Sequence, residues 1–188
     1  MLTVLGVDPG LAKQGVVVLS QATEKSEINP RHVAVTVTKK MAGKKKRDLR
    51  VFADDQRRFK ALFQGLEGTT PFDPHALCVE VYSQIPGRQG GSAWKTSATY
   101  GGASYWALAR GMTVMPTQPQ DVKRGIAGKL SASKKDVEVA LLELIPKLGP
   151  FLDALKPPSL REHAVDAAAH AYLGLKELWE IRRMMGVT

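Results

Sequence analysis

Acidic and imidazole side chains stand at three places in this chain that a folded structure would bring together. Asp8 ends an apolar run near the N-terminus, and Glu80 lies near the end of a second apolar run. His163 and Asp166 are three residues apart in an alanine-rich segment, so they share one face of a predicted helix. Three carboxylates and one imidazole suit a hard divalent cation such as Mg²⁺ or Mn²⁺. The set therefore predicts a metal site.

Each of these residues taken alone has a simpler explanation. A strand-end aspartate such as Asp8 is more often a turn residue or a helix cap, and a His-x-x-Asp pair on a helix is usually exposed. Glu80 is more informative, because a carboxylate among valine and tyrosine side chains is costly to bury without a cationic partner. Two metal ions would activate a water molecule and stabilise the leaving oxygen in phosphodiester hydrolysis. The predicted chemistry is therefore metal-dependent cleavage of a phosphodiester.

The hydrophobic pattern predicts the strands and helices that would position these residues. Apolar runs rich in β-branched residues predict strands at 4–8, 15–20, 33–38, 76–82 and 112–115, the last ended by Pro116. Helical spacing predicts helices at 48–66, 94–110, 118–127, 133–148 and 160–185. The order of three strands, a helix, a strand, a helix, a strand and further helices predicts an α/β domain that begins with two hairpins.

Small residues occur on the last predicted helix beside His163 and Asp166. They are the alanines at positions 164, 167, 168 and 171. Side chains of this size let a helix axis come close to the surface on which it packs. We therefore expect this helix to lie directly against the sheet and to bring its histidine and aspartate next to the two strand-end acids.

The charge balance favours a polyanionic partner. Twenty-seven Lys and Arg against eighteen Asp and Glu give a formal net charge of +9, a balance typical of proteins that bind nucleic acid. Residues 39–47 are mostly Lys and Arg, with a glycine between them. They predict a mobile basic loop that contacts DNA phosphates without regard to sequence, although a purely solvated loop has the same composition.

Length and composition predict one soluble domain over residues 1–188. The chain is 44% hydrophobic, which is enough for one substantial core, and it has no stretch long and apolar enough to cross a membrane. The single cysteine, Cys78, lies in an apolar run and is expected to be a buried, reduced thiol. These features fit a cytoplasmic protein.

Several short motifs follow one another along the chain in a characteristic order. They are Gly6-Val7-Asp8-Pro9-Gly10 with Gly15, then Val79-Glu80, then Val122-Lys123 with Gly128, Ala132-Ser133-Lys134 and Val137, and last His163-Ala164-Val165-Asp166-Ala167. Together they resemble the RuvC family of Holliday-junction resolvases. The resemblance implies an RNase H-like fold: a five-stranded mixed sheet, three antiparallel strands followed by two parallel ones, flanked by helices.

The resemblance also implies a role for individual residues. The metal-binding catalytic set of the family maps onto Asp8, Glu80, His163 and Asp166. Lys134 joins this set as a catalytic residue, and Lys123 and Lys134 would contact or stabilise the scissile phosphate. His163 would either bind metal or orient the attacking water, and the sequence leaves both roles open. The implied cofactor is Mg²⁺ or Mn²⁺, two ions per active site.

A second group of residues is expected to contact DNA. The basic side chains Lys44, Lys45, Lys46 and Arg47 would bind phosphates nonspecifically. Tyr82 and Arg88 would stack on an opened junction. Many bacterial members of the family carry an aromatic residue three positions after the strand-end glutamate, where this chain has Ser83. The segment 86–90 instead resembles the branch of the family common in phages and prophages.

Several functions are compatible with these features. The first is a homodimeric junction endonuclease that makes paired symmetric nicks with 5′-phosphate and 3′-hydroxyl ends, with a branch-migration motor as a further partner. The second is a nuclease of broader scope that cuts flaps, forks and three-way branches. The third is a branched-DNA-binding protein without catalysis, which the intact acidic residues disfavour. An actin-like ATPase is disfavoured because the chain is too short for two such domains.

Overall fold

The computed structural model describes residues 1–40, 49–81 and 93–187. These residues form five strands, β1 (Leu2–Asp8), β2 (Lys13–Gln21), β3 (Ile28–Val37), β4 (Ala76–Glu80) and β5 (Thr113–Thr117). They form six α-helices, α1 (Leu49–Glu67), α2 (Ala93–Leu108), α3 (Pro119–Ala127), α4 (Lys134–Leu144), α5 (Gly149–Asp153) and α6 (Arg161–Met184). None of the described helices is long and apolar enough to span a lipid bilayer.

The five strands form one mixed sheet in the order β3-β2-β1-β4-β5. Strands β1, β2 and β3 pair antiparallel, whereas β4 pairs parallel with both β1 and β5. The predicted sheet is therefore confirmed. On the β3 edge, the register with β2 shifts between Val18 and Leu19, and Pro30 lies opposite Leu19. A bulge and a proline are common on edge strands, where no further strand needs their hydrogen bonds.

Side-chain alternation along the strands decides which face the acidic residues occupy. In β1, Leu5 and Val7 belong to the core on the α2 side of the sheet, whereas Val4 belongs to the core that α6 covers. Successive side chains of a strand point to opposite faces. Asp8 therefore faces α6, and in β4 the same alternation turns Cys78 and Glu80 to that face.

Helix α6 lies so close to the sheet that its backbone touches strand glycines. A Cβ added at Gly6 would stand 1.9 Å from the carbonyl oxygen of Ala167, and one at Gly15 would stand 1.9 Å from that of His163. On the helix side, a Cβ at Gly174 would stand 2.1 Å from Cys78 Sγ. Burial there raises the pKa of the Cys78 thiol to about 12. The predicted close approach of the alanine-rich helix is thus present, and glycines of the sheet complete it.

Buried charges join the helices on the other face of the sheet. Both carboxylate oxygens of Asp55 in α1 accept hydrogen bonds from Lys95 Nζ in α2 at 2.8 Å. Arg58 is also buried in α1, and its Nε donates to Thr38 Oγ1 at 3.0 Å. Charged groups are tolerated at such burial because each is paired. The network ties α1 to α2 and to the residue that follows β3.

Several predicted boundaries were wrong, and the third strand begins at Ile28 rather than at residue 33. Strand β4 ends at Glu80 rather than at residue 82. Pro116 lies inside β5 instead of ending it, because β5 is an edge strand that can lose one donor. The helix predicted over 133–148 stops at Leu144, and a 3₁₀ turn begins at Pro146. A proline lacks the amide proton that an α-helix needs and disfavours helical geometry in the residue before it.

We expect Gly6→Ala to destabilise the protein strongly, because the new methyl group meets helix backbone that cannot rotate away. Overpacking of this kind lowers the free energy of unfolding by about 1–3 kcal/mol or more. The matched control is Gly101→Ala in α2, where an added Cβ meets nothing within 4 Å. The free energy of unfolding of that variant should rise by up to about 1 kcal/mol, because alanine has a higher helix propensity than glycine. Urea denaturation measures both, and equal stability of the two variants would contradict the described packing.

Candidate active site

Asp8 and Glu80 lie side by side at the carboxyl ends of two neighbouring strands. Val7 and Val79 form the last pair of the parallel β1–β4 ladder, and each acid stands one residue beyond that pair. Strand spacing in a sheet is about 4.8 Å. The side chain of Asp8 is 16% exposed and that of Glu80 is 26% exposed. Two partly buried carboxylates therefore lie at the same end of the sheet, beneath α6.

His163, in the first turn of α6, is bonded to Asp8. Its Nδ1 lies 2.7 Å from Asp8 Oδ2. The hydrogen bond with Asp8 raises the pKa of His163, and this effect outweighs partial burial, which lowers it. The contact joins residues 155 positions apart in the chain. Because the carbonyl of His163 also lies against Gly15, the imidazole starts from backbone that is fixed on the sheet.

Asp166 lies one turn further along α6 and faces Lys134. Lys134 Nζ is 3.2 Å from Asp166 Oδ2 and also donates to the carboxylate of Glu162. Burial raises the pKa of Asp166, the ammonium of Lys134 opposes that rise, and the charge of Asp8 adds to it. The pKa of Lys134 is raised as well, because hydrogen bonds and charge from Glu162 and Asp166 together outweigh its partial burial. The ammonium group of Lys134 therefore pairs with two carboxylates.

A capping box fixes the start of α4 and thereby the position of Lys134. Ser133 Oγ accepts a hydrogen bond from the amide of Asp136 at 3.1 Å, and Asp136 Oδ2 accepts one from the amide of Ser133 at 2.9 Å. Reciprocal bonds of this kind satisfy two amide donors that a helix start leaves without intrahelical partners. Lys134 is the first residue of the helix that these bonds begin.

His170 is buried behind Glu80. Only 2% of this residue is exposed, and its Nδ1 lies 2.6 Å from Thr117 Oγ1 at the end of β5. Its Nε2 lies 3.8 Å from Glu80 Oε2. Seven residues separate His170 from His163, so both imidazoles lie on the sheet side of α6. The carboxylate of Glu80 therefore has an imidazole nitrogen on the side that faces away from solvent.

A cavity of about 200 Å³ opens beside these groups. Its polar lining consists of Glu80, Lys123, Lys134, Asp166 and His170. Its remaining wall is apolar and consists of Pro119, Val122 and Val137. Carboxylates and ammonium groups both line this cleft, so a phosphate group and a metal ion each have complementary charges there.

The structure brings together the predicted metal-binding residues and the two lysines expected to contact the scissile phosphate. Asp8, Glu80, His163, Asp166 and Lys134 meet at one end of the sheet, and Lys123 lies on the same cavity. The other predicted DNA-contact residues, Lys44, Lys45, Lys46, Arg47, Tyr82 and Arg88, lie outside the described residues.

Two neighbours of the site were missed from the sequence. Glu162 accepts a hydrogen bond from Lys134, because the start of α4 lies next to the first turn of α6. For His170, the seven-residue spacing from His163 is a usable signal. His170 is buried, as packing requires, and it also faces Glu80.

A family model matches most of the chain. The model describes crossover junction endodeoxyribonuclease RuvC, and it matches residues 4–171, the span that holds every element of the site. This chain belongs to the RuvC family. Among curated proteins, no sequence matches the chain.

Solved structures of RuvC and other resolvases share the fold. Thermus thermophilus RuvC in complex with a Holliday junction substrate is 24% identical, with a TM-score of 0.69 over 100% of this chain and 98% of that one. A second structure of Thermus thermophilus RuvC is 22% identical, with a TM-score of 0.66 over 94% and 97% of the two chains. The fowlpox virus Holliday junction resolvase is 11% identical, with a TM-score of 0.53 over 94% and 99%. These likenesses establish the RNase H-like fold.

RuvC nucleases are metal-dependent, and the donor chemistry of this site fits a divalent cation. Within the part of the chain that the structure describes, no three His, Cys, Asp or Glu side chains are gathered as a group that could hold a metal ion. Asp8 and Asp166 instead face nitrogen atoms, those of His163 and Lys134. The oxygen donors at this end of the sheet are the carboxylates of Asp8, Glu80 and Asp166.

We expect Asp8→Asn to lower the pKa of His163 in the metal-free protein, because the charged acceptor of its hydrogen bond is lost. NMR of the imidazole protons measures the titration, and His32, whose pKa burial lowers, is the internal reference. In the folded protein the pKa of His163 is raised. The contact between His163 and Asp8 therefore stabilises the fold fully below about pH 6.5, and this stabilisation is lost as the pH rises through the raised pKa of His163. An unchanged titration of His163 in the variant would show that Asp8 is not its partner.

Proposed function

We propose that this protein is a metal-dependent endonuclease that resolves Holliday junctions by paired symmetric nicks, leaving 5′-phosphate and 3′-hydroxyl ends. The observation that carries the proposal is the pair of strand-end acids, Asp8 and Glu80, under the helix that presents His163 and Asp166. Membership of the RuvC family supports the reaction. The structural likeness to a RuvC bound to a Holliday junction substrate supports the choice of substrate.

In this proposal Asp8, Glu80 and Asp166 hold two Mg²⁺ or Mn²⁺ ions. Bound ions of this kind supply an activated water and stabilise charge on the leaving oxygen. His163 orients Asp8 through the 2.7 Å contact and is itself a candidate ligand. Glu80 and Asp166 line the cavity, so a phosphate can approach them.

Lys134 and Lys123 have the complementary role of binding the DNA strand. The side chain of Lys134 is 66% exposed, although its ammonium lies against Asp166. An exposed ammonium of this kind can turn to a phosphate without a large desolvation cost. Lys123 lines the same cavity. We propose that these two residues contact the scissile phosphate, with Lys134 as part of the catalytic set.

The proposed active form is a homodimer of two nuclease domains, each spanning residues 1–188. A four-way junction has two strands to cut, and a two-fold protein presents one active site to each. A branch-migration motor is a further proposed partner, and the cytoplasm is the proposed place of action. A role in DNA binding without catalysis is disfavoured, because three carboxylates that face a phosphate would weaken binding and confer no benefit.

Asp8→Asn is expected to abolish nicking of a synthetic four-way junction in Mg²⁺. Loss of a group that stabilises transition-state charge lowers the rate by about 10²-fold or more. The matched control is Asp73→Asn, which makes the same change at the opposite end of β4, at an exposed residue with φ of 46°. Asparagine tolerates that backbone conformation, so the control should cut at the wild-type rate.

Substrate competition in the same assay tests which branched DNAs the protein cuts. Flaps, replication forks and three-way branches compete with the four-way junction for wild-type protein. Preferential, symmetric nicking of the junction agrees with the proposal, whereas equal cutting of all branches indicates the broader nuclease. Nicking that persists unchanged in Asp8→Asn would refute the assignment of the active site.

Lys44, Lys45, Lys46 and Arg47 are proposed to bind phosphates, with Tyr82 and Arg88 stacking at the branch point. Each phosphate contact adds about 0.9 to the slope of log K against log salt concentration. Replacing all four basic residues by alanine should therefore lower the slope by up to about 3 to 4. Lys25→Ala, in the turn after β2 and remote from the Gly15 end of that strand, is the single-charge control. An unchanged slope in the quadruple variant excludes the segment from DNA contact.

A further inference from the structure

His170 is a buried imidazole for which the proposed chemistry has no use. It is 2% exposed and lies between the end of β5 and Glu80. A leucine or alanine would fill a packing position on α6 at lower cost, since a buried imidazole needs polar partners for its nitrogens. Both nitrogens of His170 face polar atoms, Nδ1 towards Thr117 and Nε2 towards Glu80.

The short hydrogen bond with Thr117 holds the His170 ring in one orientation. Thr117 Oγ1 lies 2.6 Å from His170 Nδ1, and it lies 3.4 Å from the carbonyl oxygen of Val79. The 2.6 Å contact is close to the best length for a bond to a hydroxyl, so it is the stronger of the two. With Nδ1 held by this bond, Nε2 is the ring nitrogen that faces Glu80.

Nε2 lies towards the carboxylate of Glu80. The two heavy atoms are 3.8 Å apart, which is longer than a direct hydrogen bond but close enough for a protonated Nε2 to attract the carboxylate in a buried setting. Glu80 is the last residue of β4 and follows Val79, whose carbonyl also faces Thr117. The end of β5, the end of β4 and α6 therefore meet at this one side chain.

We propose that Thr117 and His170 form a positioning pair that holds the Glu80 carboxylate in its metal-binding orientation. The proposal rests on the proposed function, because Glu80 is a ligand only if the site binds metal. Groups that bond to a ligating carboxylate typically affect metal affinity by 10–100-fold. Here the partner of Glu80 is itself oriented by a hydroxyl group on a neighbouring strand.

The test measures Mn²⁺ binding to the metal-free full-length protein without DNA, by EPR of the free ion. His170→Leu removes both polar contacts and should weaken binding by about 10-fold or more. His170→Gln restores a donor near the position of Nε2 and should bind within a few-fold of wild type. Thr117→Val should also weaken Mn²⁺ binding, and Thr117→Ser should bind Mn²⁺ within a few-fold of wild type.

A control separates positioning from loss of stability. Leu175→Ala removes buried side-chain volume from α6 beyond His170, so it should lower the melting temperature and leave Mn²⁺ affinity unchanged. If His170→Leu lowers only the melting temperature and binds Mn²⁺ as wild type does, His170 has a structural role alone and the proposal is wrong. If His170→Leu does not fold, the Thr117 variants decide in the same way.

A double-mutant cycle with Glu80→Gln distinguishes positioning from direct ligation. If His170 acts through Glu80, His170→Leu has no further effect on Mn²⁺ binding once Glu80 is changed. A further, additive loss would show that His170 binds the ion itself and would overturn the proposal. Absence of Mn²⁺ binding by the wild-type protein would instead refute the proposed metal-dependent function, so the two failures are distinguishable.

Discussion

The structure depends on direct contact between the backbone of α6 and the sheet. Gly6 and Gly15 have no side chain on the face where the helix lies, and the helix carbonyls of Ala167 and His163 occupy that space. The contact places a helix axis closer to a sheet than ordinary side chains permit. Because of that distance, short side chains such as aspartate can reach from the strand ends to the helix.

The close approach of α6 to the sheet concentrates the negative charge of the acidic residues. Each of these acids faces a nitrogen atom of another side chain. His163 faces Asp8, Lys134 faces Asp166, and His170 faces Glu80. Burial of an unpaired carboxylate is costly enough to shift its pKa or destabilise the fold. The arrangement therefore allows the domain to fold before any ion binds. In the proposed metal-bound form, the ion would have to displace these nitrogen partners.

Much of this site could be predicted because its main signals are local in sequence. An apolar run that ends in an acid, as at Asp8, indicates both a strand and the edge to which it delivers a carboxylate. The alanines of α6 likewise indicated close packing before their partner was known. The contact between Glu162 and Lys134 was not predictable, because it depends on where α4 starts relative to α6. The same holds for Pro116, whose tolerance within β5 depends on that strand being at an edge.

The irregular β3 edge has a consequence for how copies of this protein can associate. A regular outer strand offers a row of free amide and carbonyl groups onto which another chain can add by sheet extension. Here the shift between Val18 and Leu19 bends the ladder, and Pro30 removes one donor from it. Continuous strand addition along this side is therefore disfavoured, which protects a basic protein from fibrous self-assembly when it is concentrated on DNA.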